Sequence, residues 1–251
     1  MTSPQRFLDR FDYLRDEYLA SRKTKSGKIL RILQREIQNS AGAVIADIGC
    51  SEGHITESLS KQFALVVGLD IDYPSAWTGK FPFVQADGSF LPLASERFDG
   101  VVINHILEHA ASPPSLLDEV WRVLKPGGIC YLAVPNRYWP MEPHYRLLLL
   151  SWLPRSLANR YVRLAGRGTH YPEQLPSYWS IRRLSRRFSV EDLTPALLKT
   201  PELFFPDDPA LLAQARKMKW LPEWLLKILV PAAPSWVLIL RKRCEKIRLV
   251  V

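Results

Sequence analysis

Residues 43–56, Ala-Val-Ile-Ala-Asp-Ile-Gly-Cys-Ser-Glu-Gly-His-Ile-Thr, constrain what this chain can fold into more than any other stretch. An apolar run from Ala43 to Ala46 ends at Asp47. The chain then turns through Gly49 and Gly53, and a helix-like pattern restarts near Ile55. A short apolar run, a glycine turn and a helix start read as a buried strand feeding a helix. Glycine suits such a turn because it reaches positive φ without strain and, lacking Cβ, lets a ligand lie against the backbone.

The same grammar repeats downstream. Ala64–Asp70 reads as a second apolar strand ending in a carboxylate about twenty residues past the glycine turn, where dinucleotide-type folds present an acid to a ribose. Phe81–Gln85 is a short third strand running into Ala86-Asp87-Gly88. Leu91–Asn104 holds a fourth strand with its lead-in. Ser112-Pro-Pro-Ser115 starts a helix, with proline tolerated in the first turn. That helix runs to Leu124 with Leu116, Val120 and Leu124 on one face. Lys125-Pro-Gly-Gly128 stops it, and Ile129–Val134 is the fifth strand. Alternating strands and helices imply parallel crossovers and a sheet covered on both faces. A helix over 177–187, a sixth strand at Phe188–Leu193 and a last strand at Ser235–Leu240 complete the pattern. Ahead of the first strand, Phe7, Phe11, Leu14 and Tyr18 have helical spacing over 4–21, and a second helix is expected after Gly27, with Ile29, Leu33 and Ile37 on one face.

The run Asp47-Ile-Gly-Cys-Ser-Glu-Gly53 resembles the first motif of class I S-adenosylmethionine (SAM)-dependent methyltransferases, Asp-x-Gly-x-Gly-x-Gly, with Ser51 standing where the middle glycine would be. Leu124-Lys-Pro-Gly-Gly128 strengthens the likeness. It covers 40–136, with weaker echoes at 177–193 and 235–242. Residues 72–80 depart from the family, leaving little room for the usual crossover helix. The resemblance implies an α/β, Rossmann-like, seven-stranded, mostly parallel sheet whose last strand is antiparallel, with helical insertions in the C-terminal half. A single domain spanning 1–251 is expected, with leading helices (1–40) lying over the cofactor cleft, a SAM-binding core (41–136) and insertions at 137–176 and 194–234. Carried over residue by residue, Asp47 and the turn formed by Gly49, Cys50, Ser51 and Gly53 would face the methionine part of SAM. Asp70 would accept from both ribose hydroxyls, as a carboxylate is suited to do. Asp87 would accept from the adenine amino group, and Asn104 would line the floor beneath the sulfonium. Ile71 and Gly88 complete the expected cofactor contacts.

Other readings of these residues fare worse. Gly49 and Gly53 stand four apart, which breaks the Gly-x-Gly-x-x-Gly nicotinamide fingerprint, and no Gly-x-x-x-x-Gly-Lys-Ser/Thr phosphate loop occurs. His105-Ile-Leu-Glu-His109 matches the H-x-x-E-H zinc-peptidase pattern. That pattern needs a helix and a third ligand downstream, whereas here it follows directly on a strand. No metal is expected, and Glu108 and His109 are expected to hydrogen-bond to each other beneath the cleft. Methyl transfer to oxygen or nitrogen can require a general base. His105 and His144 are the candidates, with His170 behind them, though no catalytic residue is assigned. The run Asn104-His-Ile-Leu is not Asn-Pro-Pro-Tyr/Phe, which argues against amino-methylation of adenine or glutamine.

Charge divides the chain. Residues 1–140 hold 15 Lys/Arg against 16 Asp/Glu, whereas 141–251 hold 19 against 9 and five of the eight tryptophans. Pro143–Pro154 and Trp220–Val230 are apolar, carry tryptophan and have basic flanks. Both are too short and too proline-broken to span a bilayer. They read equally as interfacial helices meeting anionic lipid through 143–165 and 216–243, or as a lid over a greasy acceptor pocket. The expected acceptor is small and hydrophobic or lipid-linked, of the quinone-precursor or polyprenyl-linked glycan class. The basic half also motivates an RNA methyltransferase, but leucine and tryptophan interleave its arginines and no RNA-binding module is recognisable, so a nucleic-acid partner is not expected. A catalytically silent SAM-fold scaffold on the membrane is the other alternative. Three scattered cysteines and no apolar leader at the N-terminus point to a cytoplasmic protein, peripheral on the inner membrane face if it meets lipid.

Overall fold

The computed structural model describes residues 12–73, 79–206, 212–213 and 220–244, with side chains from Arg22 onward. Seven strands form one sheet: β1 (Val44–Ile48), β2 (Leu65–Asp70), β3 (Phe83–Gln85), β4 (Phe98–Asn104), β5 (Leu124–Pro135), β6 (Ser189–Asp192) and β7 (Ser235–Arg241). Their order is β3-β2-β1-β4-β5-β7-β6. The pairs within β3-β2-β1-β4-β5 are all parallel, while β7 runs antiparallel to both of its neighbours. The expected mixed seven-stranded sheet is therefore what forms.

Strict alternation along the central strands sends residues to two separate cores. Ala46 and Ile48, Val101 and Ile103, and Cys130, Leu132 and Val134 face one side, packed against Leu116 and Val120. Ile45, Val102, and Ile129, Tyr131 and Ala133 face the other, packed against Ile29, Ile32, Leu33, Ile55 and Leu59. The helices that supply these partners are α1 (Asp12–Glu36), α2 (His54–Ser60) and α3 (Pro113–Val123). A sheet buried on both faces explains why its strands read as nearly continuous apolar runs.

Beyond β5 the described helices are α4 (Arg155–Leu164), α5 (Tyr178–Leu184), α6 (Thr194–Lys199), α7 (Pro201–Phe204) and α8 (Glu223–Leu229). Insertion 137–176 builds a small core of its own from Leu150, Ala158, Val162, Tyr171 and Leu175. Insertion 194–234 packs α7 against α1, with Phe204 joining the core beside Ile29 and Leu33.

Several expectations need correcting. One continuous helix stands where two were expected. An isolated glycine costs a helix only about 1 kcal/mol, and burial of Ile29, Ile32 and Leu33 just after Gly27 carries α1 through. The proposed Phe7, Phe11, Leu14 and Tyr18 stripe lies outside the described side chains. Asp47 sits inside β1 and does not end it. Pro143–Pro154 is not a helix: Met141 bridges Leu148, a short 3-10 turn covers Leu150–Trp152, and the helix starts only at Arg155. Glu142 explains this, because its carboxylate takes the backbone N–H groups of His144 (2.8 Å) and Tyr145 (2.6 Å) and so replaces helical bonding with a turn. Within 216–243, residues 235–241 are the buried strand β7 and cannot face lipid, and 216–219 lie outside the described residues.

Candidate active site

The carboxyl ends of β1, β2 and β4, and the turn after β3, gather the residues expected to bind the cofactor. Register aligns Asp47 with Gly68 and Ile48 with Leu69, so Asp70 ends β2 beside the glycine turn. Gly49 and Cys50 donate their backbone N–H groups to the Leu69 carbonyl at 2.7 and 3.0 Å, stitching the turn to the neighbouring strand. Gly49 and Gly53 have φ of 74° and 76°. A Cβ on Gly49 would sit 2.2 Å from Ile106 Cδ1, and one on Gly53 would sit 2.1 Å from Phe81 Cζ. Both conformation and space therefore demand glycine here. Ser51 takes positive φ as well, 51°, where the family motif has its middle glycine. Its N–H donates to Asp70 Oδ2 at 2.7 Å, which locks the turn onto the acid.

Asp47 is 2% exposed and accepts from Thr56 Oγ1 at 2.7 Å. Burial pushes its carboxyl up to about 6, against the opposing pull of the Thr56 hydroxyl, and the charge on Asp70 adds to the rise. Asp70 also takes the Asp72 N–H at 3.1 Å. Ile71 is exposed beside it. Past β3, Asp87 accepts the Ser89 N–H at 2.8 Å in a tight turn, and Gly88 packs over Leu116. Asn104 is buried at the end of β4 with its Oδ1 unpartnered among the described residues. Burial holds the Cys50 thiol well above its ordinary range, so it is an apolar filler and no nucleophile.

A second group lies just past Asn104. His105 adopts φ of 60°, and its Nδ1 is 3.6 Å from Glu108 Oε1. Burial lowers the His105 pKa against the raising effect of Glu108, which favours the neutral ring a general base needs. Glu108 does not hydrogen-bond His109 as expected. It lies in the short 3-10 turn Leu107–His109, and neither of its oxygens accepts a hydrogen bond from any described residue. His109 instead meets the His144 ring edge-to-face at 4.8 Å. His144 is brought in from the 137–176 insertion by Glu142, whose Oε1 lies 2.7 Å from His144 Nδ1. Burial works to lower the His144 pKa, but the Glu142 bond and the neighbouring carboxylates outweigh it and the net shift is upward. His170 stands apart, bonded to Thr169. The grouping of Glu108 and His109 with His144 was missed in the sequence, although the H-x-x-E-H spacing marked half of it.

Comparison with known proteins bears on this arrangement. Residues 46–132 match the profile of a family described as "Methyltransferase domain". The chain carries a class I SAM-dependent methyltransferase domain. Its sequence is 30% identical over 154 residues to a protein named demethylmenaquinone methyltransferase from Corynebacterium kroppenstedtii, covering 56% of this chain and 66% of that one. It is 29% identical over 143 residues to a protein named ubiquinone biosynthesis O-methyltransferase from Psychrobacter cryohalolentis, covering 52% of each. The chain thus spans between half and two thirds of the length of these curated relatives. In fold, the domain is similar to the plantazolicin methyltransferase BpumL solved with a pentazolic desmethylPZN analogue and SAH. The TM-score is 0.59 at 16% identity, over 97% of this chain and 93% of that one.

Proposed function

We propose that this protein transfers a methyl group from SAM to a small hydrophobic or lipid-linked acceptor, of the quinone-precursor or polyprenyl-linked glycan class. The observation that carries the reading is the Ser51–Asp70 lock. It fixes an acid at the end of β2 against a turn whose two glycines leave no room for side chains. The fit to SAM rests on groups in this chain. Asp70 offers a carboxylate for paired hydroxyls, Asn104 Oδ1 is a buried acceptor without a partner among the described residues, and the 49–53 turn holds Gly49, Ser51 and Gly53 at positive φ beside them. Asp47, Gly49, Cys50, Ser51 and Gly53 would hold the methionine part, Asp70 and Ile71 the ribose, Asp87 and Gly88 the adenine. The bound cofactor supplies an electrophilic methyl on a sulfonium. The protein's share is to align the acceptor and exclude water. His105 is the group best set to take a proton from an oxygen or nitrogen acceptor, since its ring is biased to neutrality.

The acceptor class draws support from the names of the two curated relatives and from the second half of the chain. A cavity of about 430 Å³ opens between the 107–109 turn, the 137–176 insertion and α5, lined by Leu107, Arg137, Leu153, Tyr171, Glu173 and Leu175. Leu107, Leu153, Leu175 and Leu184 share its walls with Arg137, Arg155, Glu173 and Gln174, a half-polar lining that suits an amphipathic acceptor better than a purely apolar one. The exposed surface of the second half carries Trp152, Trp179, Trp220 and Trp224. No helix among the described residues is long and apolar enough to cross a membrane, so lipid contact would be at the surface. Incubation with methyl-labelled SAM and a membrane extract tests the proposal. Label is expected in the lipid-extractable fraction. Label confined to RNA, or no transfer with either fraction, would refute it.

A further inference from the structure

Glu108 poses a physical problem. It is 1% exposed, and neither carboxylate oxygen accepts a hydrogen bond from a described residue. A buried charge without hydrogen bonds is costly unless a cation answers it. The ion pairs it makes among the described residues are to histidine alone, at 3.6 Å to His105 and 3.9 Å to His144 Nε2. Two more carboxylates sit close by. Glu142 is fully buried against His144, and half-buried Glu173 has an unpartnered oxygen of its own. Three acids thus lie among three imidazoles, His105, His109 and His144, with Glu108 buried and the His109 and His144 rings reaching solvent.

We infer that Glu108, His109 and His144 form a binding site for a divalent transition-metal cation of the zinc type. One donor atom from each lies within 4.8 Å of the others. A tetrahedral ion with ligands at about 2.1 Å sets its donors about 3.4 Å apart, so the set must contract by about 1 Å on binding. The donor types agree: two imidazole nitrogens and one carboxylate suit zinc and its neighbours and do not suit calcium or magnesium. The support around them agrees too. Glu142 takes His144 Nδ1 at 2.7 Å, which turns Nε2 toward Glu108 and makes the carboxylate–histidine pair that commonly orients a metal ligand. Glu142 is itself held by the His144 and Tyr145 backbone N–H groups, so the orienting residue is fixed. Three protein ligands leave a coordination position open. Glu108 is four residues past Asn104 at the end of β4, and Leu107 beside it lines the 430 Å³ cavity, so the cluster lies close to that cavity.

This inference extends past methyl transfer and does not depend on it. Full-length protein is stripped with chelator, exposed to zinc, dialysed and assayed for metal, and cobalt is bound in parallel for its visible spectrum. One zinc per chain is expected, together with a cobalt spectrum of low-symmetry nitrogen and oxygen coordination. His144→Ala and Glu108→Gln should each lower zinc affinity at least tenfold. Glu142→Gln should weaken it by about 10- to 100-fold, and His170→Ala, at a surface histidine, should leave it unchanged. Should a variant fail to fold, the wild-type stoichiometry and cobalt spectrum still decide. Loss of all zinc on dialysis, an octahedral aqua-type cobalt spectrum, or equal zinc affinity in wild type and a folded His144→Ala would overturn the inference.

Discussion

Burial gives Asp47 the clearest pH signature of the residues at the sheet edge. Its folded pKa of about 6 stands above the ordinary 3.8, so the folded state binds this proton more tightly than the unfolded chain does. Below about 4 both states are protonated and the group costs nothing. As pH rises through 6, burying the charge removes up to about 3 kcal/mol of stability. Asp47→Asn is therefore expected to be more stable than wild type at pH 7–8 and to lose the advantage near pH 4, read by chemical denaturation across that range. Equal stability at pH 8 would contradict the assignment. Gly49→Ala combines positive φ with a contact of 2.2 Å to Ile106. It is expected to cost about 2–4 kcal/mol in the same assay, and no cost would mean the turn is looser than described. Gly49 and Gly53 were legible from the sequence because turn chemistry is local. The partners of Glu108 were not, since His144 stands 36 residues further along and reaches it only through the turn that Glu142 holds.

Elements divide along the same line. Strands β1 and β2 and helix α3 were read with ends displaced by one or two residues, because a glycine, a carboxylate or a cap bounds each. By contrast, β5 starts at Leu124, five residues before the expected Ile129, and takes in the Lys125–Gly128 run read as a stop. Reading failed where burial overrode a local signal, as at Gly27, and where a local side-chain turn displaced a helix, as at Glu142. Gly27 did not break α1, and the apolar Pro143–Pro154 stretch did not become a helix. The lead-in to β4 shows how a segment without periodicity is held. Arg122 on α3 donates to the Leu91 and Leu93 carbonyls at 2.9 and 2.7 Å while pairing with Glu119, which accepts the Leu91 N–H. Arg122→Ala is expected to cost about 1–2 kcal/mol, and Arg122→Lys should recover only part because it lacks the planar fork. A denaturation midpoint unchanged in both would show that the lead-in is held by its apolar packing alone.

At the scale of the molecule, a nearly neutral SAM-binding half is joined to a basic half that carries the insertions and most of the tryptophans. The first half could be read because parallel crossovers put the carboxyl ends of β1 to β5, and the residues expected to meet the cofactor, along one edge. The second half resisted because its helices are short and its small core is assembled from scattered positions such as Leu150, Ala158 and Tyr171. The whole account turns on that edge being a fitted SAM cradle. Isothermal calorimetry of the full chain with SAM tests it most directly, paired with Asp70→Ala checked by thermal melt for retained folding. One SAM per chain is expected for wild type, with affinity at least tenfold lower for the folded variant. No heat from wild type, or equal binding by Asp70→Ala, would contradict it.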